Sequence, residues 1–74
     1  MTCTLDGRAV NYTAETEFVV ETKEIATGRW TRWFGNRGNL PQAVAMFNCC
    51  NTDPNRFEKR LVRRDDAKPQ RVLA

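Results

Sequence analysis

Residues 17–25, Glu17-Phe18-Val19-Val20-Glu21-Thr22-Lys23-Glu24-Ile25, are rich in β-branched and aromatic types and contain no glycine or proline. That is the pattern of a strand. Ala26-Thr27-Gly28 supplies a turn, and Arg29-Trp30-Thr31-Arg32-Trp33-Phe34 supplies the returning strand. With Gly28 in the left-handed position of a three-residue turn, Ile25 opposes Arg29, Glu24 opposes Trp30, Glu21 opposes Trp33 and Val20 opposes Phe34. Successive strand side chains point to opposite faces. This register sets Phe18, Val20, Trp30 and Phe34 on a core face, with Arg32 reaching water from its edge. Glu17, Val19, Glu21, Lys23, Thr31 and Trp33 share the solvent face.

Upstream, the run from Cys3 to Val10 holds an Asp6-Gly7 pair between strand-formers. Both turn positions of a two-residue hairpin need positive φ, which Asp-Gly supplies, so the pair predicts a short amino-terminal hairpin. Downstream, Gly35-Asn36-Arg37-Gly38 breaks the strand pattern. Asn39 followed by Gln42 resembles a capping box with asparagine at its head, and Pro41 is tolerated in a first helical turn. Leu40, Ala43, Val44 and Phe47 then follow the i, i+3, i+4, i+7 rule. The spacing predicts one amphipathic helix over about 39–51, with Cys50 at the margin of its apolar stripe and Cys49 nearly opposite Leu40. It ends at the turn-forming Asn51-Thr52-Asp53-Pro54-Asn55.

Arg56-Phe57-Glu58-Lys59-Arg60-Leu61-Val62-Arg63-Arg64 fits two descriptions. Asp53 and Pro54 can cap a second helix bearing Phe57 and Leu61 on one face; the preferred reading is a strand. Asp65-Asp66-Ala67-Lys68-Pro69 then turns the chain toward Gln70-Arg71-Val72-Leu73, which closes a hairpin or leaves residues 66–74 as a frayed tail. The expected fold is a small single α+β domain: an antiparallel sheet of three to five short strands, with the helix packed on one face.

Composition narrows the class. Seventy-four residues with 41% hydrophobic and 28% charged content suit one small folded domain. No run approaches the roughly 20 apolar residues needed to span a bilayer, and no basic segment leads into an apolar stretch at the amino terminus, so the chain reads as cytoplasmic and without a membrane partner. Three cysteines in no metal or disulfide spacing read as reduced thiols. The net charge of +3 is unevenly spread. Residues 1–28 set two cations against five acids, a balance of −3, and residues 29–74 set ten against four, a balance of +6. Such a split brings the halves together, favours head-to-tail association, or offers a basic face to an anionic partner.

Candidate chemistry is sparse. The chain has neither histidine nor serine, which removes imidazole bases and the familiar serine or cysteine nucleophile arrangements. The glutamates around Phe18 and Val20 read as a solvated strand face rather than an acid and base pair. Gly35-Asn36-Arg37-Gly38 before a helix can offer N–H groups to an anion, but matches no phosphate-loop or dinucleotide pattern. Adjacent Cys49 and Cys50 close only a strained ring, and without histidine they leave zinc short of ligands. Cys50 reads as a small buried hydrophobe. The expectation is no enzyme, no cofactor and no metal.

Binding readings remain, and two sets of residues carry them. The six positions from Arg29 to Phe34 hold three of the seven aromatic residues, and the register leaves Trp33 exposed between Arg29, Arg32 and Arg37. Tryptophan and arginine are over-represented at protein hot spots. A second set, Arg56, Lys59, Arg60, Arg63 and Arg64 with Phe57 among them and Arg71 beyond, can meet phosphates while Trp33, with Tyr12 as the other available ring, stacks on a base. A stacking platform needs more exposed rings than this chain offers, which favours a protein partner over RNA or single-stranded nucleic acid. That partner is a host complex or a second copy paired through a sheet edge into a homodimer. In size and composition alone, the chain is similar to the small accessory proteins of bacteriophages and mobile elements, anti-CRISPR proteins and other host-takeover inhibitors among them. That resemblance implies an inhibitor or modulator that occludes a surface of a host complex.

Overall fold

The computed structural model describes residues 1–64 and 70–73. The chain runs β1 (Thr2–Leu5), β2 (Arg8–Asn11), β3 (Glu17–Glu24), β4 (Arg29–Arg37), α1 (Leu40–Cys49), β5 (Phe57–Arg64) and β6 (Gln70–Leu73). These make an α+β fold of two antiparallel sheets, the hairpin β1-β2 and a four-stranded sheet in the order β4-β3-β5-β6, with α1 against the larger one. Residues 57–64 are therefore a strand, and the carboxy-terminal residues 70–73 close a hairpin rather than fray: Val72 is buried. The expected turn over 65–69 lies outside the described residues.

Local chemistry accounts for most boundaries. Asp6 and Gly7 both take positive φ, at 50° and 76°, and join β1 to β2 with Leu5 opposite Arg8. The Asn39 side chain accepts from the Gln42 backbone N–H at 3.1 Å and starts the helix. The reciprocal half of the capping box is absent, because the Gln42 side-chain oxygen accepts instead from the Asn36 amide at 3.2 Å. Asp53 shapes the β5 approach: its carboxylate accepts from Asn55 N–H and its carbonyl from Phe57 N–H, both at 2.9 Å. Gly38 is needed where it stands, with φ at 69° and a Cβ there only 2.8 Å from the Ala14 backbone.

The core lies between the large sheet and the helix. Phe18 and Val20 of β3, Leu61 of β5 and Leu40, Ala43 and Phe47 of α1 are buried there with Cys50. Leu5, Tyr12 and Val72 extend this core toward the amino-terminal hairpin. Tyr12, counted in the sequence as an available ring, is buried and packs edge-on against Phe18 at 5.3 Å between centroids.

The register of β3 and β4 differs from expectation. Val20 does oppose Phe34, but a bulge follows: Glu21 opposes Arg32, Lys23 opposes Trp30 and Glu24 opposes Arg29. Trp33 is the additional residue. The turn is also one residue longer than expected, Ile25 to Gly28, with Gly28 N–H donating to the Glu24 carbonyl at 2.7 Å. A bulge shifts the alternation by one, so Trp30 and Arg32 leave the core face and join Glu21 and Lys23 on the face away from the helix. Trp30 is absent from the core, whereas Phe34 packs against it.

Candidate functional site

Val19 and Val62 pair at the centre of the face away from the helix, yet both are buried. Charged side chains do the covering. Glu21, itself buried, accepts from Arg60 at 2.8 and 2.9 Å and pairs with Arg64 at 3.5 Å. The Arg60 guanidinium lies 3.8 Å from the centre of the Trp30 ring, and Lys23 sits 5.5 Å from the same ring while pairing with Glu58 at 3.1 Å. Arg32 reaches Glu17 at 3.7 Å and crosses Gly35, where a Cβ would run into its guanidinium. This network replaces the solvated glutamate face expected from sequence.

Strand alternation divides the basic series of β5. Arg60 and Arg64 belong to the open-face network. Lys59 lies on the helix side, where its ammonium donates to the carbonyls of Phe47 at 2.9 Å and Cys50 at 3.3 Å and sits 4.5 Å from the Phe47 ring. It therefore adds a charged donor at the carboxy-terminal end of α1, where the Phe47 carbonyl also accepts from the Cys50 N–H at 3.3 Å. Arg63 donates to the Asn11 carbonyl at 2.7 Å and ties the amino-terminal hairpin to the sheet. Arg56 stands before the strand with its guanidinium 5.9 Å from the Phe57 ring. The five cations adjacent in sequence are thus dispersed over two faces and a turn. Four of them, Lys59, Arg60, Arg63 and Arg64, hold other parts of the chain.

The other candidate residues share one strand but not one face: Arg29, opposite Glu24, lies on the helix side, whereas Arg32 and Arg37, opposite Glu21 and Glu17, lie on the open side. Arg29, Arg32, Trp33 and Arg37 all belong to β4, one of the two edge strands of the large sheet. Trp33 is 46% exposed at the bulge, and Ile25, in the turn leading into β4, is 47% exposed. Beyond the amino-terminal Met1, these are the large apolar side chains left in water among the described residues. Arg29 and Arg37 have no hydrogen-bond or ion-pair partner for their guanidinium groups among the described residues. β4 carries three arginines and no acid. Sequence reasoning found these residues but not the bulge that exposes Trp33, nor the exposure of Ile25, which it placed opposite Arg29.

The cysteines are dispersed in character: Cys50 is buried, Cys49 exposed and Cys3 half-buried. Among the described residues no three acidic or cysteine side chains gather as metal ligands, and no helix is long and apolar enough to cross a membrane. No family model, curated protein or solved structure matches the chain.

Proposed function

We propose that this chain is a non-enzymatic binding module that occupies the surface of a partner protein through its β4 edge, with Trp33 as the anchor and Arg29, Arg32 and Arg37 around it. The observation that carries this reading is the position of Trp33. A tryptophan placed outside the strand alternation by a bulge contributes nothing to the core, yet exposes an aromatic surface of the type that dominates interface energetics. A chain without histidine or serine acts more readily by stoichiometric occlusion than by turnover. That favours an accessory protein that inhibits or modulates a larger host complex.

The nucleic-acid alternative loses support from the dispersal of the β5 cations, since Lys59, Arg60 and Arg63 are engaged inside the fold and a phosphate would have to displace those contacts. One pair of variants separates the readings. Trp33→Ala is expected to abolish capture of the partner from nuclease-treated extract of the native cell, at low and high salt alike. Removing charge at Arg64, the more exposed member of the Glu21 network, is expected to leave capture intact. A salt-steep affinity for labelled single-stranded RNA or DNA that falls on Arg64→Gln and ignores Trp33→Ala would replace the protein reading with the nucleic-acid one.

A further inference from the structure

The face of the large sheet turned away from the helix carries a charge balance equal to that of the whole chain. Among the described residues, the strand pairing places six cations on it: Lys23 of β3, Arg32 and Arg37 of β4, Arg60 and Arg64 of β5, and Arg71 of β6 opposite Val62. The acids there are Glu17, Glu21 and Glu58. Six against three is a balance of +3, the net charge of the chain, and the twelve other charged residues of the sequence are six cations and six acids.

Pairing within the face takes up four of its cations. Glu21 holds Arg60 and Arg64, Glu17 holds Arg32, and Glu58 holds Lys23. Arg37 and Arg71 are exposed and have no ion-pair partner among the described residues. They stand on the two edge strands, three strand spacings or roughly 14 Å apart across the sheet. Between them the surface is closed, since Val19 and Val62 are buried and the Arg32 guanidinium lies across Gly35. A partner therefore meets a plane bordered by two unmatched guanidinium groups rather than a cleft.

Charge selects the occupant. An excess of +3 attracts a negative surface and repels a second copy of the same face. Nucleic acid and acidic protein are both negative, and the position of the acids separates them. Glu17 sits between Arg37 and Arg64, and Glu21 between Arg32 and Arg60, so a column of carboxylates runs along β3 through the middle of the face. A nucleic-acid strand laid across it brings uniformly negative phosphates against that column, and the Trp30 ring, which a base would need, already carries Arg60 at 3.8 Å. A protein surface instead places its acids at discrete positions. We infer that the open face of the sheet binds a flat acidic surface of the partner protein, whose carboxylates meet Arg37 and Arg71 and leave the Glu17–Glu21 column free. This rests on the protein-binding reading above, names the chemistry of the partner, and extends the contact from β4 across the sheet to β6.

The test is an NMR titration of isotope-labelled full-length protein with three probes: an oligoglutamate peptide, an oligolysine peptide of the same length, and an oligothymidine of matched charge. Oligoglutamate is expected to shift the Nε–H signals of Arg37 and Arg71 saturably, and oligolysine to leave them unmoved. Arg37→Glu and Arg71→Glu are each expected to weaken oligoglutamate by about fivefold or more, whereas Arg56→Glu, which makes the same change of net charge in the turn before β5, keeps it within about twofold. All three positions are exposed, and thermal melts confirm that the variants are folded. No saturable binding of oligoglutamate, equal losses in all three variants, or tighter binding of oligothymidine at the same two arginines would each overturn the inference. Arg71→Glu also separates the inference from the reading beneath it, because Arg71 lies three strands away from Trp33. A cellular partner that is lost by Trp33→Ala but kept at wild-type affinity by Arg71→Glu overturns the inference and leaves the reading in place. A partner kept by both variants overturns both.

Discussion

Lys59 shows how far a residue's role departs from its charge. In sequence it belongs to a basic run; in the fold its ammonium donates to the Phe47 and Cys50 carbonyls at the end of α1 and covers the Phe47 ring. A charged group donating to two carbonyls is worth more than an exposed charge, so Lys59→Ala is expected to lower stability by about 1.5–3 kcal/mol. Arg64, with a 3.5 Å contact to Glu21 and 43% of its side chain exposed, should change stability by less than about 1 kcal/mol when replaced by alanine. Urea melts of the two variants check the contrast, and equal losses would remove the structural assignment of Lys59. Glu21 makes the same point with the opposite sign. Because it is buried and faces Arg60, Glu21→Ala leaves a guanidinium without its partner and is expected to cost about 3 kcal/mol.

At the scale of elements, the bulge in β4 is the feature that the residue pattern conceals. The two-residue turn, the asparagine cap and the helix stripe were legible because each rests on short-range rules: positive φ at Asp6-Gly7, a side-chain acceptor at Asn39, and spacing in the helix; the β5 strand was the preferred of two readings. The faces of β4 were half legible. Phe34 lands opposite Val20 as its spacing predicts, but an alternation counted across Trp33 puts Trp30 in the core, whereas the chain inserts one residue and turns Trp30 onto Arg60. No local signal marks the insertion. It follows from what the two faces can accept, since Arg32 and Trp30 find Glu17, Lys23 and Arg60 on the open side. The candidate edge was legible as residues but not as geometry, and the β5 patch was not legible because strand alternation dispersed it. Since Trp33 is the additional residue, its deletion leaves every other β3–β4 pair in register. The deletion variant is expected to melt cooperatively with a near-native circular dichroism spectrum while losing the binding partner. Deletion of Thr31 shifts Trp30 and Arg29 relative to β3 and should destabilise the fold, which the same melts report.

For the whole molecule, part of the uneven charge of the sequence is resolved inside the large sheet. β3 supplies Glu17 and Glu21, and its neighbours on either side supply Arg32, Arg60 and Arg64, so the acidic early part of the chain is held between two basic strands. What this pairing leaves over is distributed unevenly. The cations of β5 engage Glu21, the helix end and the hairpin, whereas Arg29 and Arg37 of β4, like Arg8 and Arg71, have no ion-pair partner among the described residues. On β4 three arginines without an acid stand beside the exposed Trp33 and oppose the approach of another copy of the same edge. Repulsion of this kind strengthens as ionic strength falls, because exposed charges are screened over about 10 Å at 0.1 M salt and over roughly 30 Å at 0.01 M. The wild-type chain is accordingly expected to sediment as a monomer at low salt, while Arg29→Gln/Arg32→Gln, which keeps the backbone edge and removes two of its arginine charges, should begin to self-associate at the same concentration. Sedimentation equilibrium of the two proteins at both salt levels decides the matter. A wild-type dimer that tightens as salt is withdrawn would mean that the edge is not governed by its arginines.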